Sequence, residues 1–511
     1  MNKPVIWSIA GLDSGGGAGL SADQRAADAA GVHLCSGAAA LTAQNSVAVE
    51  AIFPVPPEQL DAQLAALASD LPPAAIKTGL LGGVEQLRVV TRWVDRLREH
   101  APMALVVDPV LRASTGASFT DEALLRAYRE ELLPRATVAT PNRREAARLV
   151  GEGSAPEQAR ALQTLGVASV CITGGDEAGP LAVDWLASPH ANGWLALPRR
   201  DARNNHGTGC CFATGLAAAL ARGFVAADAA VLAKMLTTSG LRADAAPGAG
   251  AGPVLPSAGF ITDASLLPAL FETLPAGLPA RRTDPPAVEG VYAITDSGAH
   301  AARLFGAGVR TVQLRIKRAE GEGAAAWHTR LAGEVQPARD AARRHSATFI
   351  VNDHWRAALA LGVDFVHLGQ EDLLALDATA RADLAQARAR GLRLGLSSHS
   401  LWELARAAAW APDYVACGPV WPTLTKAMPW RPQGLDNLAW WAAMSPVPVV
   451  GIGGVLAPEQ LIQIATCGAS AGCVVRGLTQ LPVREWLDAW RSGAAMPLAT
   501  RAGWPHPSLP R

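Results

Sequence analysis

The feature that most constrains the fold is an alternation in the second half of the chain. Beyond residue 288, eight short runs rich in β-branched and other apolar residues recur: VYAIT (291–295), TVQLR (311–315), TFIVN (348–352), DFVHL (364–368), LRLGL (392–396), DYVAC (413–417), VPVVGI (447–452) and AGCVV (471–475). Each is followed by a stretch of helical composition. Eight βα units in about 200 residues is the count of a (β/α)8 barrel. No close sequence repeat accompanies it, which separates this pattern from a repeat array. Residues 289–495 are therefore predicted to form a TIM barrel.

The first half alternates differently. VIWSIAG, AIKTG, ALVVDPV, VAT and ASVCITGG are separated by Ala- and Leu-rich helical stretches, which predicts a mostly parallel sheet covered by helices over 1–270. From 243 to 288 the composition turns to Pro, Gly and Ala, in ADAAPGAGAGPVLPSAG and LPAGLPARRTDPPAVEG. That stretch reads as a domain end followed by a linker at 271–288, with DASLLPALFETL as a short helix between the two. The last residues, 496–511, read as a disordered tail.

Composition excludes several classes. The 511 residues are half hydrophobic and carry no formal net charge, so nothing electrostatic favours a nucleic-acid or membrane partner. The seven cysteines are an odd number without a CxxC pair, which argues against a disulfide framework and a structural zinc site. No charge-free apolar run reaches about 18 residues, and the start lacks signal-peptide character. The expectation is a cytoplasmic α/β protein acting on small molecules, with homo-oligomerisation left open.

In a barrel of this kind the active site lies at the carboxyl ends of the strands, and there the polar residues fall. The successive ends carry Gln313, Arg315 and Lys317; Asn352 and Asp353; Gln370, Glu371 and Asp372; Ser397 and Ser398; Thr423, Thr425 and Lys426; Gly453 and Gly454; Val475 and Arg476. Two acids and several cations on one rim suit a metal-bridged polyphosphate, because Mg2+ prefers one or two carboxylates plus phosphate oxygens. Strands seven and eight form the usual barrel phosphate site.

The motifs QLRIK, VND, VHLGQED, SSHS, GPVWPTLTK and GIGGV resemble thiamine phosphate synthase across 290–480. The resemblance implies that Gln313, Arg315, Lys317, Asn352, Ser397 and Lys426 bind a pyrimidine diphosphate. It implies Asp353 and Asp372 as Mg2+ ligands, and Thr423, Thr425, Gly454, Val475 and Arg476 as the thiazole phosphate site. Arg476 departs from the Ser common at that position in the family.

In the first half, AGLDSGGGAGLSAD (10–23) supplies glycines for close backbone approach to a ligand, without matching a Walker loop or a dinucleotide fingerprint. NNHGTGCC (204–211) leads into FATGLAAALARG, an apolar helical run stopped by Gly223. A Gly-Thr-Gly turn at a helix start presents unpaired amides and the positive dipole end to an anion. A cysteine there is expected to have a lowered pKa. Core filling and a metal site compete as explanations of the two cysteines, the latter with only His206 nearby. Adjacent helical residues point about 100° apart, so Cys210 is expected to face the anion hole and Cys211 the core.

Together with LTAQNS, IKTGLLG, DPVL, TPNRREAARL and GAGAGPV, these motifs resemble the hydroxymethylpyrimidine/phosphomethylpyrimidine kinases, a ribokinase-like group with a three-layer α/β fold, over about 1–265. The resemblance implies ATP and Mg2+, and Cys210 as the base in place of the Asp of other ribokinase relatives. It implies Gly11, Asp23 and Gln44 on the pyrimidine side, and Asn142, Glu145, Gly207, Thr208 and Gly209 around ATP and the anion hole. Lys77 fits the KTG segment. Thr173 stands where that group usually has Lys. The two halves fit one another, since the product of the first is the substrate of the second. The alternative is a pyridoxal-type kinase fused to a thiazole tautomerase-like or phosphate-sensing barrel.

Overall fold

The computed structural model describes residues 3–111, 121–175, 177–243, 246–280, 282, 288–423, 429–499 and 503–509. The chain divides into two compact units, one ending at Leu278 and the other beginning at Pro279. Among the described residues no helix is long and apolar enough to cross a membrane.

The first unit is built on ten strands: β1 Val5–Asp13, β2 His33–Gln44, β3 Val49–Pro54, β4 Ala75–Thr78, β5 Ala104–Val107, β6 Val138–Ala139, β7 Ser169–Ile172, β8 Leu181–Ala187, β9 Asn192–Pro198 and β10 Ala269–Phe271. They form one sheet in the order β10-β9-β8-β7-β6-β5-β4-β1-β2-β3. The six strands from β7 to β2 run parallel, and antiparallel strands extend both edges. On one face Trp7, Ile9, Ile76 and Leu105 pack under Leu60, Leu87, Val90 and Trp93. The opposite side carries the helices Thr208–Ala221 and Ala226–Gly240, whose residues are buried nearly all round, as their unbroken Ala/Leu composition requires.

Two local readings change. The 263–274 segment is not a helix: it gives a 3-10 turn, Ala264–Leu266, and then strand β10. Pro268 lacks the N–H that a helix interior needs, and the open edge of β9 supplies the pairing instead. Strand β2, HLCSGAAALTAQ, escapes recognition because its Ala and Gly residues carry little β preference. It is held by β1 on one side and β3 on the other.

The second unit is the expected closed barrel of eight parallel strands: β11 Gly290–Thr295, β12 Thr311–Leu314, β13 Thr348–Asn352, β14 Phe365–Leu368, β15 Arg393–Ser398, β16 Tyr414–Cys417, β17 Val449–Gly451 and β18 Ala471–Val474. Its interior is filled by Tyr292, Ile350, Phe365, Tyr414, Val450, Ala471 and Cys473.

The tail is the third difference. Of the segment expected to be disordered, residues 503–509 lie against the barrel. The amide of His506 donates to Asn437 Oδ1 at 2.8 Å, and its ring Nε2 is 2.7 Å from Gln433 O. Arg431 N donates to Ser508 O at 2.8 Å. Gln433 and Asn437 are themselves fully buried, and a buried amide needs partners. Those partners order the tail.

The linker residue Arg282 faces Asp413 of the barrel at 3.6 Å, so a cut between 278 and 279 leaves that pair intact. Each unit has its own core and should fold alone. Separately expressed 1–278 and 279–511 are expected to be soluble and to melt cooperatively by calorimetry. Aggregation of either piece would show that its core depends on the other.

Candidate active sites

In the first unit the strand order reverses between β1 and β4, and a ligand crevice is expected outside the carboxyl ends at such a switch point. Four stretches far apart in sequence meet there. Asp13, the last residue of β1, accepts from the amides of Gly15, Gly17 and Ala18 at 2.8, 3.0 and 2.8 Å, which folds the Gly-rich loop back on itself. His206 Nε2 lies 3.2 Å from both Asp13 Oδ2 and Gln44 Nε2. Gly17 is obligatory, since a Cβ there would fall 2.1 Å from His206 Cδ2. Gly252 N donates to Asn204 Oδ1 at 2.8 Å, and Gly250 N to Ser46 Oγ at 3.1 Å. The segments 13–19, 44–46, 204–211 and 250–254 thus form one wall. Burial alone would raise Asp13, but the hydrogen bonds from His206, Ala18 and Gly15 outweigh it and hold its carboxyl below the usual range.

The helix Thr208–Ala221 starts at this wall. Gly207, at φ +87°, is its left-handed N-cap, a conformation glycine adopts without strain. The first i→i−4 bond runs from Cys211 N to Gly207 O at 2.9 Å, so the amides of Gly209 and Cys210 precede the helical ladder and face outward as an anion hole. Cys211 is fully buried, as expected. Cys210 faces Lys77, Asp23 and Asp108, and its sulfur accepts from the Gly19 amide.

Two expectations for this site need correction. Asp23 is fully buried: Lys77 Nζ donates to it at 2.9 and 3.0 Å, Ser8 Oγ at 2.6 Å and Thr214 Oγ1 at 2.8 Å. It holds the floor of the site and offers no free face to a pyrimidine. The Cys210 thiol is not lowered. The residue keeps some exposure, yet burial of the thiol pushes it up to about 12, with Asp23 and Asp108 adding to the effect and Lys77 opposing it. Asn142 and Glu145 are engaged with one another: Asn142 Oδ1 accepts from Glu145 N and Glu145 Oε2 from Asn142 N, both at 2.9 Å. This capping box starts the helix Arg143–Val150 at the carboxyl end of β6. Thr173 pairs beside Asn142.

Asp108, within the DPVL motif, carried no role in the sequence reading. It is 5% exposed, and Gly209 leaves its Oδ2 open at 4.0 Å from where a Cβ would stand. Burial raises its carboxyl to about 6, against the pull of Lys77. It lies close to Gly209 and Cys210.

The barrel mouth gathers the second set. Gln313 donates from Nε2 to Asn352 Oδ1 at 2.6 Å. The charge of Arg315 reaches Asp353, His367 and Cys473, so its guanidinium lies toward the barrel axis, while Lys317 is exposed at the rim. Asp353 sits at φ +65° and is in hydrogen-bond contact with Asp372. Burial and that neighbour push its carboxyl up to about 6, against His354 and Arg315. Two carboxylates held this close repel when both ionise, and a divalent cation between them would relieve the repulsion. The pair therefore fits Mg2+. Ser397 Oγ lies 2.9 Å from His367 Nε2. Gly454, at φ +74°, backs onto the 421–422 loop, where a Cβ would come within 2.6 Å of Trp421 Cβ. Thr423 is partly exposed beside it, and Val475 and Arg476 are exposed at the end of β18. Thr425 and Lys426 lie outside the described residues. Tyr292, His367 and Tyr414, which the sequence reading left without a role, connect this mouth from below.

Comparisons with known proteins match both units. A family model described as phosphomethylpyrimidine kinase matches residues 13–255, and one described as thiamine monophosphate synthase matches 291–478. The chain is 32% identical over 476 residues to a probable thiamine biosynthetic bifunctional enzyme, chloroplastic, of Oryza sativa, covering 89% of this chain and 82% of that one. It is 45% identical over 211 residues to a thiamine-phosphate synthase of Rhizobium etli, covering 39% of this chain and 96% of the relative. It is 38% identical over 262 residues to a hydroxymethylpyrimidine/phosphomethylpyrimidine kinase of Synechococcus elongatus, covering 50% of this chain and 97% of the relative. This chain belongs to the family of bifunctional thiamine biosynthetic enzymes, with a phosphomethylpyrimidine kinase unit followed by a thiamine monophosphate synthase barrel.

Proposed function

We propose that the first unit phosphorylates hydroxymethylpyrimidine twice at the expense of ATP. The barrel then joins the resulting diphosphate to thiazole phosphate, giving thiamine phosphate and pyrophosphate. The observation that carries this reading is the pairing of an amide anion hole beside Cys210 in one unit with the Asp353–Asp372 pair opposite Arg315 in the other.

In the kinase the substrate hydroxyl sits against Cys210 and its oxygen attacks the terminal phosphorus of ATP. The P–O bond to ADP breaks, and the amides of Gly209 and Cys210 hold the transferring phosphoryl oxygens. Phosphoryl transfer passes through a loose transition state, so the hydroxyl gives up its proton late. Cys210 can take that proton only as its thiolate, so with the thiol raised by burial the reactive form is a minor one and the rate is expected to rise with pH. In the barrel the bond between the methylene carbon and the diphosphate oxygen breaks and the thiazole nitrogen attacks that carbon. Arg315, with Gln313 and Asn352, receives the leaving diphosphate. Mg2+ held by Asp353 and Asp372 would add Lewis-acid neutralisation of phosphate charge. The direct test supplies hydroxymethylpyrimidine, MgATP and thiazole phosphate together and looks for thiamine phosphate. Its absence, with either half-reaction missing, would reject the reading.

Cys210→Ala is expected to lower the kinase rate by about 10²–10⁴-fold, the range for a lost acid–base group. Cys210→Asp should recover part of the loss, and Cys211→Ala should leave the rate nearly unchanged. Steady-state assays of both phosphorylations decide; a dead Cys211→Ala with an active Cys210→Ala would reverse the assignment. Iodoacetamide should label Cys210 slowly at pH 7 and faster as pH rises, since only the thiolate reacts.

Asp353→Asn gives a thermal prediction with a definite sign. A carboxyl raised in the folded state weakens folding as pH climbs from its unfolded value toward about 6, because the unfolded chain releases its proton first. At pH 7.5 without Mg2+ the Asn variant should therefore melt higher than the parent. Adding Mg2+ should stabilise the parent and leave the variant unmoved, and condensation should be lost while kinase activity persists. A parent indifferent to Mg2+ would remove the metal site from this position.

Thr173→Lys should fold normally and tighten nucleotide binding in calorimetric titration, by adding a cation beside the Asn142 turn. Weaker binding would place Thr173 away from the nucleotide.

A further inference from the structure

Six side chains from six different barrel strands form one unbroken hydrogen-bonded line beneath the mouth. Gln313 Nε2 donates to Asn352 Oδ1 at 2.6 Å. Tyr292 donates to Gln313 Oε1 at 2.5 Å. The Tyr292 and Tyr414 hydroxyls are 2.6 Å apart, Tyr414 is 2.7 Å from His367 Nδ1, and His367 Nε2 is 2.9 Å from Ser397 Oγ. Tyr292, Tyr414, His367, Gln313 and Asn352 are all buried.

The line has a direction, because each phenol has a single proton. Tyr292 gives its proton to the Gln313 carbonyl, so Tyr414 must donate to Tyr292. With the Tyr414 proton so committed, His367 must carry its hydrogen on Nδ1. The ring is buried and its two nitrogens meet hydroxyl oxygens, a setting that favours the neutral form, so Nε2 is bare and Ser397 must donate to it. One amide orientation thereby sets a histidine tautomer and the rotamer of a serine hydroxyl on the other side of the barrel. The packing allows little else. The Tyr414 ring stacks on His367 at 5.5 Å and 27° and meets Tyr292 edge-on at 5.8 Å. It occupies space that only Gly395 leaves free, since a Cβ there would stand 2.2 Å from the ring.

We infer that Tyr292, Tyr414 and His367 are positioning residues of the condensation, a one-way hydrogen-bond chain that fixes the donor–acceptor sense of Gln313 and Asn352 at one end and of Ser397 at the other. The inference rests on the synthase reading of the barrel. None of the three needs to touch substrate. They ensure that Asn352 turns its amide hydrogens, and Ser397 its lone pairs, toward whatever occupies the mouth.

The test uses the full chain, in which the kinase half serves as an internal control. If the parent makes no thiamine phosphate, the synthase reading fails; the inference is judged on variants of an active parent. Tyr414→Phe removes the central hydroxyl and little volume. Its condensation kcat should fall about 10–100-fold, the usual effect of losing an outer partner of a site group. The KM for thiazole phosphate and the kinase rate should hardly move. The double variant Tyr292→Phe/Tyr414→Phe should be no worse than the worse single variant, because one break already interrupts the line. In ¹⁵N-histidine spectra, with His367→Gln supplying the assignment, the parent ring should be protonated on Nδ1 and the Tyr414→Phe ring on Nε2. Should Tyr414→Phe fail to fold, Tyr292→Phe carries the same kinetic comparison. Parental kcat in Tyr414→Phe, additive losses in the double variant, or an Nε2-protonated ring in the parent would each overturn the inference.

Discussion

Lys77 and Asp23 meet at 2.9 Å with no exposed side-chain surface on either, and the kinase site is arranged around that contact. Lys77 comes from β4, Asp23 from the helix Gly19–Ala29, and the remaining lone pairs of Asp23 are taken by Ser8 of β1 and Thr214 of the helix Thr208–Ala221. Removing one partner of such a pair leaves a buried uncompensated charge, at a cost of about 3–5 kcal/mol. The pair therefore locks the Gly-rich loop, the sheet and the anion-hole helix to one another. Its field also reaches outward. Asp23 helps to raise both Cys210 and Asp108, and Lys77 opposes both shifts, so a structural ion pair tunes the groups proposed to do chemistry.

Both units owe the location of their sites to parallel pairing. A parallel strand must be followed by a crossover, so every carboxyl end opens onto the same edge. In the first unit that edge collects Asp13, Lys77–Gly79, Asp108 and the Asn142 turn. In the barrel it collects Arg315, Asp353, Asp372 and Ser397. The first unit adds antiparallel strands at its two margins without disturbing the central edge.

The barrel was legible because each of its eight strands is a compact, largely apolar run with helical sequence after it, and the observed limits fall within a few residues of the reading. The first sheet was half legible. Its central strands carry Val and Ile, whereas β2 is Ala- and Gly-rich and is a strand only because two neighbours pair with it. Site residues in short motifs were legible as groups, but their individual duties were not. Asp23 looked like a ligand contact until Lys77, Ser8 and Thr214 proved to hold it, partners up to 191 residues away. Tyr292 and Tyr414, 122 residues apart, drew no role, because nothing local in sequence announces that two hydroxyls will meet across a barrel.

The docked segment 503–509 bears on how the barrel rim is closed. Gln433 links four parts of the barrel rim: it donates to His399 O and to Pro419 O, and it accepts from Asn437 and Ser508. Two of the contacts that satisfy Gln433 and Asn437 come from His506 and Ser508, well beyond the eighth strand, which ends at Val474. The eight strands alone would leave these two amides to water or to a wrong partner, so residues 506–508 act as a stitch across the rim between strands five and six.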